Sequence, residues 1–208
     1  MQTHQIRELI DRALTQEAEE GAYARTLSAR LPELRESLVM PEEAPVEALL
    51  RFIQRYIRSV PSCLRLVTAV SKRQGFYDYA APFLRLAQDY FLQPPEAVGG
   101  ASGLEALLDE AFLAHRLLEE INDHHIRHLQ RPLLPLDMTE ANIIVHHLLG
   151  DAFALRLEQL VAMTAQDLLR HEHLWDSVKE QSAPGYAAME LPIELEPQTE
   201  GIRLRLAS

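Results

Sequence analysis

Residues 104–129 read LEALLDEAFLAHRLLEEINDHHIRHL. Leu107, Ala111, Ala114, Leu118 and Ile121 recur at the three- and four-residue steps that line one face of an α-helix. No glycine or proline interrupts the run, so it predicts one unbroken helix of about seven turns. At the edge of the apolar face, among Phe112 and Ile126, stand His115, Glu119 and Asn122. His115 and Glu119 are one turn apart, close enough to act on a common group.

The helical period extends outward from this stretch in both directions. Upstream, Ile6, Ile10, Ala13 and Leu14 mark a first helix that Gly21 interrupts, and Leu27, Leu31, Leu34 and Leu38 mark a second, with Pro32 tolerable only near its first turn. Pro45 opens a helix whose apolar face is Val46, Leu49, Leu50, Ile53, Ile57 and Val60. Pro61 is expected to end or kink it. Leu64, Val67 and Val70 then mark another helix, closed by Lys72, Arg73 and Gly75. An aromatic-rich helix follows around Phe76 to Phe91, starting or bending near Pro82. Residues 94–103, PPEAVGGASG, form the best loop candidate in the chain.

Downstream, Asp137 and Glu140 have the spacing of a capping box, and a second long helix is expected over 139–163. It is apolar on most sides, which marks a central helix. Thr164 and Asp167 are read as caps of a last helix through Leu168, Leu174, Trp175 and Val178. After residue 186 the period changes to two. Residues 189–196, MELPIELE, and 202–206, IRLRL, alternate apolar and charged, which predicts a β-hairpin. The expected architecture is therefore mainly α: a bundle of about seven helices over 1–186, and a hairpin at 187–208 that packs on the bundle or on a second subunit.

Composition narrows the function classes. The 208 residues carry 20 Lys and Arg against 31 Asp and Glu, a net charge of −11. That balance disfavours duplex nucleic acid, whose backbone rewards cationic surfaces. No apolar run approaches the roughly 20 residues that span a bilayer. The acidic, amphipathic start, MQTHQIRELIDRALTQEAEE, lacks a signal-peptide core. A single cysteine, Cys63, cannot close an internal disulfide and reads as core filling; with the rest it suggests the cytoplasm. The charge is uneven: −5 over residues 1–50, +5 over 51–90 and −11 over 91–208, and eight of nine histidines fall between 115 and 173.

That concentration suggests a site. On a wheel of the 139–163 helix, Glu140, His147, Asp151 and Glu158 fall within about 40°. Carboxylate and imidazole are ligands for a divalent metal such as Fe, Mn or Zn. With His115 and Glu119 opposite, His147 and Asp151 would complete a pair of helices each offering a histidine and a carboxylate one turn apart. The candidate metal ligands are thus His115, Glu119, Glu140, His147 and Asp151. The chain has neither the Glu-x-x-His spacing of di-iron bundles nor a His-Asp dipeptide; Asp123-His124 runs in the reverse order. His124, His125 and His128, near a helix C-terminus, read as surface or capping groups. Arg51, Arg55 and Arg58 share a face that could receive a small anionic ligand or an acidic partner, or pair within the chain.

Two functions follow. One is a ligand- or partner-binding module that self-associates, most simply as a homodimer; it requires no motif the sequence lacks. The other is a metal-dependent oxidoreductase or hydrolase with its site between helices 104–129 and 139–163. No Gly-rich phosphate loop, GxSxG elbow or CxxC is present.

Overall fold

In a computed structural model that describes residues 3–93, 103–133, 137–168 and 199–205, the 104–129 stretch is the single unbroken helix its period requires. The helices among the described residues are α1 (Thr3–Glu20), α2 (Ala22–Ser37), α3 (Pro45–Gln74), α4 (Tyr77–Leu92), α5 (Leu104–Leu129), α6 (Thr139–Leu149) and α7 (Asp151–Leu168). A short antiparallel sheet pairs β1 (Leu38–Val39) with β2 (Arg203–Leu204). The mainly helical fold expected from the sequence, with a small β element near the C-terminus, is the fold observed.

The central helix is α5, not the 139–163 segment. It packs on α1, α3, α4, α6 and α7, and fifteen of its 26 residues are buried. Ala111 and Ala114 let neighbours approach closely, and Phe112, Leu117 and Ile121 are wholly enclosed. Each such large side chain contributes about 1.5–3 kcal/mol by leaving water.

Pro61 does not end its helix: α3 runs through it from Pro45 to Gln74. An interior proline forfeits a backbone hydrogen bond and costs about 3 kcal/mol. Here continuous burial on both sides offsets the loss, with Ile53, Ile57, Val60, Leu64 and Val67 all fully enclosed. Pro32 and Pro82 likewise lie inside α2 and α4. At the far end of α3, Gly75 adopts φ 80° and its N–H donates to the Lys72 carbonyl, the expected glycine stop.

The expected 139–163 helix is two helices. Gly150 takes φ 85° and ψ 140° between them, a conformation that only glycine adopts without strain. The period does not reveal the break, because the segment is apolar around most of its circumference and so hides that the buried face changes side, from Ala141, Ile144 and Leu148 to Ala154, Leu157 and Val161. Thr164 is no cap; it lies within α7 and its hydroxyl donates to the Leu160 carbonyl at 2.9 Å. The Asp137–Glu140 box is also replaced. Asp137 accepts the Thr139 N–H at 2.9 Å, an Asx turn just before α6, while Glu140 stays exposed.

The second arm of the expected hairpin pairs with the end of α2's exit strand, Leu204 with Leu38 and Arg203 with Val39. The first arm, 189–196, lies outside the described residues, as do the 94–102 loop and most of the last expected helix. Ile202 is fully buried. Arg205 donates through its backbone N–H to Ser37 O (2.8 Å) and through Nε to Arg35 O (3.0 Å). Glu200 receives Arg51 Nε at 3.1 Å and Arg55 Nη1 at 2.9 Å. Two of the three aligned arginines therefore hold the C-terminal turn of their own chain, and Arg58 remains exposed.

A buried carboxylate sets the α1–α2 corner. Glu17 is only 7% exposed and accepts the Tyr23 and Ala24 N–H groups at 2.9 and 2.8 Å. An anion at a helix start satisfies donors that have no intrahelical partner and complements the dipole. Glu17→Ala should cost about 1–2 kcal/mol by analogy with lost caps, lowering Tm by about 2–8 °C. Thermal denaturation by circular dichroism checks this, and Glu17→Gln, which keeps an acceptor, should recover part of the loss.

Candidate functional site

Central burial of α5 forces its polar residues to find partners on neighbouring helices. His115 is 2% exposed. Its Nε2 lies 3.1 Å from the Tyr56 carbonyl and 3.0 Å from Ser59 Oγ, both on α3. A carbonyl only accepts, so Nε2 carries the hydrogen and the neutral ring keeps its lone pair on Nδ1. Burial pulls the imidazole pKa down to about 4, against a small opposing effect of the bond to Tyr56. The ring is neutral at pH 7. Ser59 completes the turn by donating to the same carbonyl at 2.7 Å.

A chain of hydrogen bonds then crosses to α6. The Tyr56 ring packs on His115 at 4.5 Å, and its hydroxyl donates to Asn142 Oδ1 at 2.7 Å. Burial above all, with the Glu119 charge, raises the Tyr56 pKa well above 10, so the phenol stays a donor. Asn142, 3% exposed, donates through Nδ2 to Glu119 Oε2 at 2.9 Å. The same Glu119 oxygen pairs with Arg116 Nη1. Arg116 Nε lies 3.9 Å from Glu158 on α7, and Glu158 lies 3.4 Å from His146 Nδ1. His146 Nε2 closes on Asp151 at 3.3 Å, across the Gly150 break.

Two cavities open on this chain. The smaller, about 300 Å³, is lined by Arg116, Glu119, His146, His147 and Glu158 with Thr139, Asn142 and Ile143. The larger, about 440 Å³, lies between α5 and the start of α6; His115, Asp123 and Asp137 line it. Glu119 and Thr139 border both.

The five residues singled out as metal ligands separate accordingly. His115 and Glu119 face the larger cavity, and Glu119 and His147 face the smaller. Glu140 and Asp151 line neither; Asp151 is 76% exposed and turns to His146 instead. The break at Gly150 is the reason, since it removes Asp151 and Glu158 from the helix that carries Glu140 and His147. Among the described residues no three His, Cys, Asp or Glu side chains come together as a metal site.

The sequence reading passed over Tyr56, Ser59 and His146. Tyr56 and Ser59 were hidden in an apolar helix, and their only signal was polar atoms on its buried face. Arg30 was also missed: from α2 it donates to the Leu148 carbonyl at 2.5 Å, capping α6 from 118 positions away. His124 and His125 are buried rather than surface groups. His124 packs on the Tyr79 ring at 5.5 Å. His125 donates Nδ1–H to the Arg131 carbonyl at 2.7 Å and meets the Gln74 amide through Nε2 at 2.9 Å. His171 and His173 lie outside the described residues.

Asp109 and Glu110 form a further buried acidic pair on α5. Burial raises them to about 7 and about 8, with help from Glu105 and Asp109 respectively. Neither lines the two cavities. No helix among the described residues is long and apolar enough to cross a membrane. The chain matches no protein-family model, no curated protein and no solved structure.

The chain from Tyr56 to Glu119 makes a measurable claim about coupling. Tyr56→Phe and Asn142→Leu each orphan a buried partner, at a cost of about 1–3 kcal/mol. Because they break one network, a double-mutant cycle in urea should return a coupling of about 1 kcal/mol or more. Glu140→Ala, exposed and outside the network, should change stability by less than about 0.5 kcal/mol.

Proposed function

We propose that this protein is a ligand-binding module and that its site is the pair of cavities meeting at Glu119, between α5, α6 and α7. One observation carries the reading. A carboxylate at the junction of two cavities is fixed by Arg116 and Asn142, and Asn142 is itself fixed by Tyr56. Ligand pockets combine apolar walls with a few polar groups whose orientation is set in advance, and both features meet here. The combined volume falls in the range of small-molecule sites. In the larger cavity the Thr139 hydroxyl bonds Asp137, a carboxylate held below its usual range and so a poor base, and Cys63, raised to about 12 by burial, is not an available thiolate. The reading is therefore binding rather than catalysis. The single buried cysteine suits a reducing compartment, and we place the protein in the cytoplasm.

Thr139 borders both cavities and is exposed at the start of α6, so Thr139→Trp blocks them without entering the core. A small-molecule panel of amines, carboxylates, sugars and nucleotides, screened by thermal shift, should yield a ligand that raises Tm by about 5 °C or more at a hundredfold excess over Kd. The shift should vanish in Thr139→Trp, whose circular dichroism stays that of the parent. A ligand that stabilises both proteins equally places the site elsewhere.

Self-association belongs to the same reading and rests on α7. Leu155, Leu160 and Met163 are 50%, 37% and 65% exposed, and these are the apolar side chains that α7 offers to a second copy. Light scattering of the full chain should give a dimer mass, and Leu155→Glu with Met163→Glu should give a monomer. A monomeric parent would remove this part of the reading.

A further inference from the structure

The two cavities differ in charge. The smaller contains Arg116 beside Glu119 and Glu158, so its ionic groups are largely paired with one another. The larger is lined by Glu119, Asp123 and Asp137 and by no lysine or arginine. Asp137 spends Oδ1 on the Thr139 N–H, and Glu119 spends Oε2 on Arg116 and Asn142. Glu119 keeps Oε1 for another donor, while Asp137 also accepts the Thr139 hydroxyl.

Acidic lining alone would be an ordinary surface feature, but a buried group gives the cavity a direction. The His115 ring, 2% exposed, lines it from the inside. Its Nε2–H is spent on α3, and among the described residues Nδ1 has no hydrogen-bond partner. An imidazole nitrogen lone pair accepts an N–H or O–H and repels another acceptor. His115 Nδ1 and the carboxylates therefore ask for donors, and the ionised groups ask for positive charge. Beside Asn122 and Thr139, the remaining walls, Leu118, Ile126, Pro132 and Met138, are apolar and suit a hydrocarbon stem.

We propose that the larger cavity binds an organic cation, a primary ammonium on an aliphatic stem, with the ammonium among Glu119, Asp123 and Asp137, an N–H directed to His115 Nδ1, and the stem against Leu118, Ile126 and Met138. This deepens the binding reading above and rests on it. A bare metal ion fits less well: about 440 Å³ far exceeds one ion with its ligands, and the carboxylates and histidine do not converge on a point. An anion is disfavoured by all three carboxylates, and a neutral alcohol gains a hydrogen bond but no ion pair from them.

The test is calorimetric titration of the full chain at pH 7 with four probes of matched length: n-pentylamine, 1,5-diaminopentane, 1-pentanol and sodium pentanoate. The amines should bind at least tenfold more tightly than the alcohol or the carboxylate. Asp123→Asn with Asp137→Asn should weaken amine binding at least tenfold and abolish the preference. Asp11→Asn, an exposed carboxylate on α1, should leave it unchanged. Because Asp123 and Asp137 are themselves exposed, their variants should fold, and circular dichroism verifies it. Binding of pentanol or pentanoate in preference to the amines, lost in Thr139→Trp, overturns the cation and leaves the cleft as a binding site. Amine binding that the double variant leaves intact overturns the assigned site. No binding by any probe overturns the cation, and a panel ligand blocked by Thr139→Trp would then still uphold the module.

Discussion

The structure depends on the burial of α5. A helix surrounded by α1, α3, α4, α6 and α7 has no water for its polar side chains, so each must be met by a group on another element or be neutralised. His115 is neutralised and donates to α3. Glu119 is met by Arg116 from its own helix and Asn142 from α6. Tyr56 connects the two through the Asn142 amide. The same requirement that holds three helices in register also fixes the orientation of Glu119, the side chain at the junction of the two cavities.

A network of this kind has two ends with different chemistry. At the α3 end the groups are buried and tied together: Tyr56 O takes both Ser59 and His115 Nε2. At the α6–α7 end the groups are partly exposed and bridge a glycine break, with His146 between Asp151 and Glu158. A closed end supplies rigidity, because removing any member leaves a buried group unsatisfied. An open end supplies surface that can exchange partners with a ligand. The cavities lie where one passes into the other.

Much of the fold was legible in the sequence because periodicity reports burial directly. The face of Leu107, Ala111, Ala114, Leu118 and Ile121 is the buried face of α5, and Lys72, Arg73 and Gly75 close α3 as their order implies. Periodicity failed where the chain turns without losing its pattern. Gly150 separates two helices that are apolar around most of a common wheel, which hides the change of buried face between them, so a single wheel placed Glu140, His147, Asp151 and Glu158 together when they belong to two elements. It failed again at Pro61, where buried neighbours on both sides outweigh a local penalty. The candidate site was half legible: His115 and Glu119 were recognisable as polar residues on a core helix. Their partners, Tyr56 59 positions away from His115 and Asn142 23 positions from Glu119, depend on how helices meet, which spacing along one helix cannot report. Glu200 clasping Arg51 and Arg55 is long-range in the same sense.

The most direct measurement is the tautomer and titration of His115, read from ¹⁵N and ¹H imidazole resonances of the full chain labelled at histidine and assigned with a His115→Asn variant. The hydrogen bonds to Tyr56 and Ser59 place the proton on Nε2 and leave Nδ1 as the acceptor of a ring that lines the larger cavity. At pH 7 the account predicts a neutral ring with a protonated Nε2 and a bare Nδ1, unchanged down to about pH 5 and titrating near pH 4. A ring protonated on Nδ1, or one that becomes cationic near pH 6.5, would contradict it, because the cavity would then present a donor where the account requires an acceptor.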